Sequence, residues 1–320
     1  MGFKIWTAPA GINSRVLSTP PSAARWSAVR SAAGGFSCIA VKRLEQSVGR
    51  LAEFIQGKAP LFVLTGAGCS TDSGIPDYRD SDGRWKRAEP IRYQSFVRDE
   101  RARRRYWARS FVGWPRVLAA CPNAAHSALA VLERRGHLSQ LVTQNVDGLH
   151  QRGGSRRVID LHGRLDLVDC LACGLRLSRR RVQALLAACN PCHRPVGSEL
   201  LAPDGDALLD DRLADDFRVP ACPACGGMLK PAVVFFGENV PKPRVEHAFA
   251  RLAESRGLLV VGSSLTVFSG YRFCLSAAQQ GLPIALLNRG RTRADGLAEL
   301  KLDMGCADGL TGALRQLGAL

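Results

Sequence analysis

No run of about 18 apolar residues occurs in this chain, which excludes a membrane-spanning helix of ordinary length. Its apolar stretches, such as Val-Val-Phe-Phe at 233–236 and Leu-Leu-Val-Val at 258–261, have the length of strands. Acidic residues are missing from the first 44 positions, which carry six Lys or Arg among many Ser and Ala. The same segment lacks the apolar core of a secretory signal. Residues 1–40 are therefore expected to be a mitochondrial transit peptide, with a disordered basic tail as the alternative. Without a secretory route, the eleven cysteines, an odd number, do not suit a disulfide framework and point to metal instead. Internal repeats are also absent. What is present is a chain of 320 residues, 46% hydrophobic, with a formal charge of +16: enough for a large core, and basic enough to meet anionic ligands.

One expected glycine is missing too. The strand-like run Leu61–Thr65 enters Gly66-Ala67-Gly68-Cys69-Ser70, a turn suited to phosphate, yet Thr71 stands where the dinucleotide fingerprint has its third glycine. Gly74-Ile75-Pro76-Asp77-Tyr78-Arg79 follows in place of a continuing helix. Further strands read at 141–146, 233–236, 258–262 and 283–288, alternating with helical stretches such as 122–135 and 269–280. This alternation predicts an α/β fold with a doubly wound, parallel, Rossmann-like sheet and a smaller zinc-ribbon plus helical subdomain. The large domain is expected at 41–165 and 227–320, with a helical lid at about 84–120, and the small domain at 166–226. Polar residues gather at the strand ends, where such folds bind ligands: Gly66 to Arg79, Gln144-Asn145-Val146-Asp147, Gly262-Ser263-Ser264 and Asn288-Arg289-Gly290. Arginines and aromatics interleave over 84–116, which reads as a helix burying an aromatic stripe; a single-stranded nucleic-acid surface is the competing reading.

Six cysteines form three CxxC pairs, one more than a tetrahedral zinc site needs. The 15 residues between Cys173 and Cys189 favour the first two pairs by spacing. Turn chemistry favours the outer two. Cys170/Cys173 and Cys222/Cys225 are each followed by a glycine, at 174 and 226, which permits the positive φ of a metal knuckle. The Cys189/Cys192 pair has Pro191, which lacks an N–H, and His193 in place of the glycine. Zinc is assigned to Cys170, Cys173, Cys222 and Cys225.

Taken in order, GAGCSTDSGIPDYR (66–79), TQNVDGLH (143–150), LHG (161–163), the two knuckles, LKPAVVFFGE (229–238) and GSSL (262–265) resemble the sirtuin family over roughly residues 50–307. RRYWARSFVGWP (104–115), LAPDGD (201–206) and SGYRF (269–273) resemble its mitochondrial class II, sirtuin-four type. The resemblance implies NAD-dependent protein-lysine deacylation: the acyl-amide oxygen attacks the ribose carbon that nicotinamide leaves, and the 2′-hydroxyl then attacks the imidate. His162 is implied as the base and Asn145 as the group binding ribose and water. NAD contacts are implied for Gly66, Ala67, Gly68, Ser70, Ile75, Asp77, Tyr78, Arg79, Gln144, Asn145, Val146, Asp147, Gly262, Ser263, Ser264, Asn288, Arg289, Gly290 and Cys306. Val234, Phe235, Phe236, Gly237 and Glu238 would pair with the substrate peptide as an added strand. His126 and His150 are expected to orient loops and helix starts, and Cys69 to pack. A lipoamidase-like preference is the expected refinement, with Leu200, Leu201 and Leu208 extending an apolar channel. Mono-ADP-ribosyl transfer is the alternative within the enzyme class, and a nucleic-acid-binding zinc module that senses NAD is the alternative outside it. The expected partners are acylated lysines of mitochondrial metabolic enzymes, with the protein a monomer in the matrix.

Overall fold

The five residues of β1 (Leu61–Thr65) are buried without exception, and their alternation supplies two cores at once. In the computed structural model, which describes residues 38–77, 90–193 and 214–318, Leu61 and Val63 face one side of the sheet, and Phe62 and Leu64 the other. The sheet has six strands in the order β3 (Val158–Asp160), β2 (Leu138–Thr143), β1, β7 (Leu258–Val261), β8 (Ile284–Leu287) and β9 (Leu300–Leu302). Every pairing in it is parallel. One face is covered by α1 (Cys38–Gly57), α4 (Ala124–Arg134) and α9 (Cys306–Gln316), through Leu51, Ile55, Leu129, Leu132, Leu310 and Leu314. On the other face lie α7 (Lys242–Ala253) and α8 (Phe268–Gln279), through Ala248, Leu252, Phe273 and Ala277. Strand order reverses between β1 and β7, so their C-terminal ends open the crevice expected of a doubly wound sheet. Glu45–Leu320 clusters as one compact unit.

A second, antiparallel sheet joins β5 (Arg176–Ser178), β4 (Gly163–Cys170) and β6 (Leu229–Val233). The expected strand at 233–236 is corrected here. The strand ends at Val233 and pairs with β4 in the small sheet, because Leu229 and Val233 turn inward beside Val168 and Leu165. The same core takes α2 (Tyr93–Arg98), α3 (Glu100–Ala119) and α6 (Arg179–Cys189). Asp99 caps α3 by accepting from the Arg101 N–H at 2.8 Å. Tyr106, Trp107, Phe111 and Trp114 of α3 are buried, so the aromatic stripe is not available to stack on bases. Arg179 enters the same core. Its guanidinium lies 5.4 and 5.2 Å from the ring centres of Trp107 and Trp114 and donates to the Ser110 carbonyl and to Gln183. Residues 1–37 of the expected transit segment, residues 78–89 with the start of the expected lid, and Leu200, Leu201, Leu208 with the LAPDGD motif lie outside the described residues.

Candidate active site and metal knuckles

Where β1 ends, the chain turns tightly because another loop presses against it. The Gly66 N–H donates to the Val261 carbonyl at 3.0 Å, and the Gly68 N–H to the Gly262 carbonyl at 2.9 Å. A Cβ on Gly66 would stand 2.7 Å from the Ser263 Cβ, and one on Gly262 would stand 2.4 Å from the Cys69 nitrogen. The first demand on these glycines is thus contact between the ends of β1 and β7.

The Gln144–Asp147 segment is stitched to that turn. Asn145 Nδ2 donates to the Gly66 carbonyl at 3.1 Å and to Ser70 Oγ at 3.0 Å, and Ser70 Oγ donates to Asp147 Oδ2 at 2.7 Å. Gln144 Nε2 reaches Ser263 Oγ at 2.8 Å. Asp147 Oδ1 also accepts from the Leu149 N–H, at the start of α5 (Leu149–Arg152), while burial raises its pKa above the usual carboxylate range. His162 sits between strands. Its Nδ1 is 2.9 Å from the Gln144 carbonyl, which can only accept, so Nδ1 carries the proton and Nε2 keeps its lone pair. Ser269 Oγ lies 2.7 Å from that Nε2 and must donate to it. Burial holds the His162 pKa down at about 4, against the opposing effect of the Gln144 bond and with help from Arg244 and Arg272. The imidazole is therefore neutral, in the form that can accept a proton, throughout the physiological range.

These groups line one crevice of about 810 Å³, large for a small-molecule site. Gly66, Ala67, Gly68, Ser70, Ile75, Asp77, Gln144, Asn145, Val146, Asp147, His162, Gly262, Ser263, Ser264, Asn288 and Arg289 line it, as do Val234, Phe235, Phe236, Gly237 and Glu238. Two expected residues stand elsewhere. Cys306 is buried behind the turn, its Sγ donating to the Gly68 carbonyl at 3.5 Å, because it starts α9 beneath the sheet rather than covering the crevice. Gly290 is outside the lining as well. Tyr78 and Arg79 lie outside the described residues. Ser269, Arg272, Arg291 and Arg293 line the crevice without having been singled out one by one. For the three arginines charge was the signal, since guanidinium groups suit the two phosphates of a dinucleotide; Ser269 had none. The 234–238 segment is held from beneath. Lys230 Nζ pairs with Glu238 at 3.0 Å and donates to the Val233 carbonyl, while Glu238 also accepts from the Phe235 N–H.

Far along the small sheet, the four outer cysteines converge, and their sulfurs all lie within 4.8 Å of one another. Cys170 and Cys225 are 3.5 Å apart, and Cys173 and Cys222 are 3.9 Å apart. A tetrahedral zinc with Zn–S bonds of about 2.3 Å places its sulfurs about 3.8 Å apart, so the set fits a structural zinc site. Gly174 and Gly226 both have φ +73°, and their N–H groups close the turns onto the Cys170 and Cys222 carbonyls at 3.0 and 2.9 Å. The N–H groups of Cys173 and Ala172 point at the Cys170 sulfur and favour its thiolate. The middle pair takes no part: Cys189 ends α6, Cys192 is exposed, and Asn190 between them anchors residue 218 through its amide.

Cys69, His126 and His150 form a second buried cluster, and here the histidines serve structure. His126 completes the capping box of α4 by accepting from the Asn123 N–H at 3.2 Å, and His150 Nε2 lies 2.8 Å from Thr65 Oγ1. Burial lowers both pKa values, that of His126 to about 4. As pH falls below about 6.5 the unfolded chain takes up protons these buried rings refuse, so stability is full above that pH and declines toward the folded values. His126 alone accounts for about 2 kcal/mol at pH 5, and His150 acts in the same direction. Asp147 and Asp160, whose pKa values are raised, act in the opposite direction. Thermal melts should show a clearly lower midpoint at pH 5 than at pH 7; equal midpoints would contradict this assignment.

Residues 66–269 match the Sir2 family model. An NAD-dependent protein deacetylase of Xanthomonas campestris pv. campestris (strain 8004) is 58% identical over 267 residues, covering 83% of this chain and 91% of the relative. The NAD-dependent protein deacylase Sirt4 of Drosophila melanogaster is 46% identical over 268 residues, covering 83% and 86%. Among solved structures, the Sir2 complex with a p53 peptide and NAD+ superimposes with a TM-score of 0.68 at 27% identity, covering 85% of this chain and 98% of that one. Sir2 bound to an acetylated peptide gives 0.67 at 26% identity, covering 85% and 99%.

Proposed function

The chain belongs to the Sir2 family and is an NAD-dependent protein deacylase, and from that premise we propose that His162 is the base of the reaction and that the preferred acyl group is long and lipoyl-like. One observation carries the catalytic part: His162 lines the crevice as a neutral ring, with Nδ1 protonated against the Gln144 carbonyl and Nε2 left as the accepting nitrogen, which the Ser269 hydroxyl occupies. When bound, NAD supplies a ribose carbon made electron-poor by departure of nicotinamide. The chain contributes the rest. The Gly66–Ser70 turn and the Arg289 side of the crevice suit the phosphates, and Ile75 and Asp77 line the wall where nicotinamide would be shielded from water. Asn145, fixed by Gly66 and Ser70, is poised to orient a hydroxyl, and His162 accepts a proton at Nε2. The Val234–Glu238 segment, held by Lys230, would receive the peptide backbone, so affinity would depend little on its side chains.

The acyl preference rests on likeness to the sirtuin-four type, including the 46% identity to the fly deacylase. Mono-ADP-ribosyl transfer is the second activity to measure. The acid-free N-terminal segment supports action on acylated lysines of mitochondrial enzymes, although the same domain also occurs in bacteria. Acetyl-, lipoyl- and branched acyl-lysine peptides, each incubated with NAD and followed by mass spectrometry, test the reading. Acyl-dependent release of nicotinamide, fastest with lipoyl peptide, is expected. Release that ignores the peptide would overturn deacylation, and a preference for acetyl would overturn the lipoyl refinement.

A further inference from the structure

We infer that Ser269 is the positioning residue of the base: its hydroxyl, together with the Gln144 carbonyl, clamps the His162 ring at both nitrogens and fixes which of them is free to take a proton. The inference rests on the reading of His162 as base. Its geometry is explicit. The carbonyl at 2.9 Å from Nδ1 accepts, so that nitrogen is protonated; the hydroxyl at 2.7 Å from Nε2 finds a lone pair and donates. Two partners on opposite ring atoms set the ring plane as well as the tautomer, the role that a carboxylate or carbonyl often plays behind a working histidine.

Ser269 is itself fixed. It is the second residue of α8, and Arg272, one turn on, donates from Nε to the Ser269 carbonyl at 3.1 Å. The charged groups acting on the ring are Arg272 from α8 and Arg244 from α7, whose Nη1 donates to the Leu161 carbonyl at 3.1 Å. Both are cations and both disfavour protonation, and neither touches the ring nitrogens. Ser269 lines the crevice, so its hydroxyl can turn from Nε2 to an incoming ligand hydroxyl as the base takes over that proton. A serine here holds the base while the crevice is empty and gives way when it is filled.

The test compares Ser269→Ala and Ser269→Thr with the parent protein. Removing the hydroxyl deletes a donor to the neutral ring, so the His162 imidazole, followed by NMR and assigned with His162→Gln, should titrate about 0.5 to 1 pH unit higher in Ser269→Ala. In the same variant kcat for acyl-dependent nicotinamide release should fall about tenfold, with KM for NAD within about twofold and the melting midpoint unchanged. Ser269→Thr keeps the hydroxyl and should restore both the titration and kcat. An unshifted titration in Ser269→Ala would overturn the inference, as would a threonine variant as impaired as the alanine one. Loss of stability or of NAD affinity in step with kcat would also overturn it, by showing a merely structural serine. Should the parent protein release no nicotinamide with any acyl peptide, the assigned function fails, while the NMR titration still decides the clamp.

Discussion

Replacing Cys222 and Cys225 with Ser releases the zinc and lowers the melting midpoint sharply, because metal-coupled folding energy of several kcal/mol is lost at once. The four sulfurs lie within 4.8 Å of one another, and no other side chain is needed to complete a tetrahedron. Their knuckles also close the end of the small sheet, where β4 runs into Cys170 and pairs with β6 at Leu229. Loss of the metal therefore loosens the core shared with α2 and α3, which carries Tyr106 to the crevice wall. The companion variant, Cys189→Ser with Cys192→Ser, keeps one zinc per chain and an almost unchanged midpoint. Those sulfurs are outside the cluster, and Asn190 holds that turn through its own amide. Metal analysis of the two double variants decides the matter; zinc lost from the second and retained in the first would refute the assignment.

His162→Tyr removes the proton acceptor while leaving the rest of the crevice in place. Acyl-dependent release of nicotinamide should fall by about 10² to 10⁴-fold, the usual contribution of a positioned base. The turn at Gly66–Ser70 is held by Asn145, Asp147 and Gly262, none of which relies on His162, so the variant should keep its melting midpoint and bind NAD nearly as before. Calorimetry with NAD and a peptide-dependent rate assay on the same preparation check both halves. Full residual turnover would sink the role of His162. A collapse of NAD affinity would instead show that the ring supports the crevice.

Much of this was legible in the sequence wherever a few adjacent residues settle a local conformation. The glycine after each outer CxxC, against Pro191 in the middle pair, selected the knuckles, since φ near +73° is a local property that glycine accepts and other residues resist. Unbroken burial along the apolar run Leu61–Thr65 and the helical pattern near 124–134 followed from period and propensity. The polar strand ends could be read as one crevice because parallel strands in a doubly wound sheet end on one edge.

Only the tertiary structure decided what depends on closure between distant parts of the chain. Leu229–Val233 joined β4 rather than the large sheet, because an apolar run of strand length does not specify its partner. Cys306 went behind the Gly68 turn because the register of α9 against the sheet, not its place in the sequence, sets which way its first residue faces. The meeting of Ser269 with His162 spans 107 residues of chain and requires α8 to start beside the end of β2. A serine carries no mark of such a partner in its neighbours. Local residues determined the turns, the knuckles and the elements; packing across the sheet determined which groups touch, because contact distance is fixed by the whole core and not by any stretch of it.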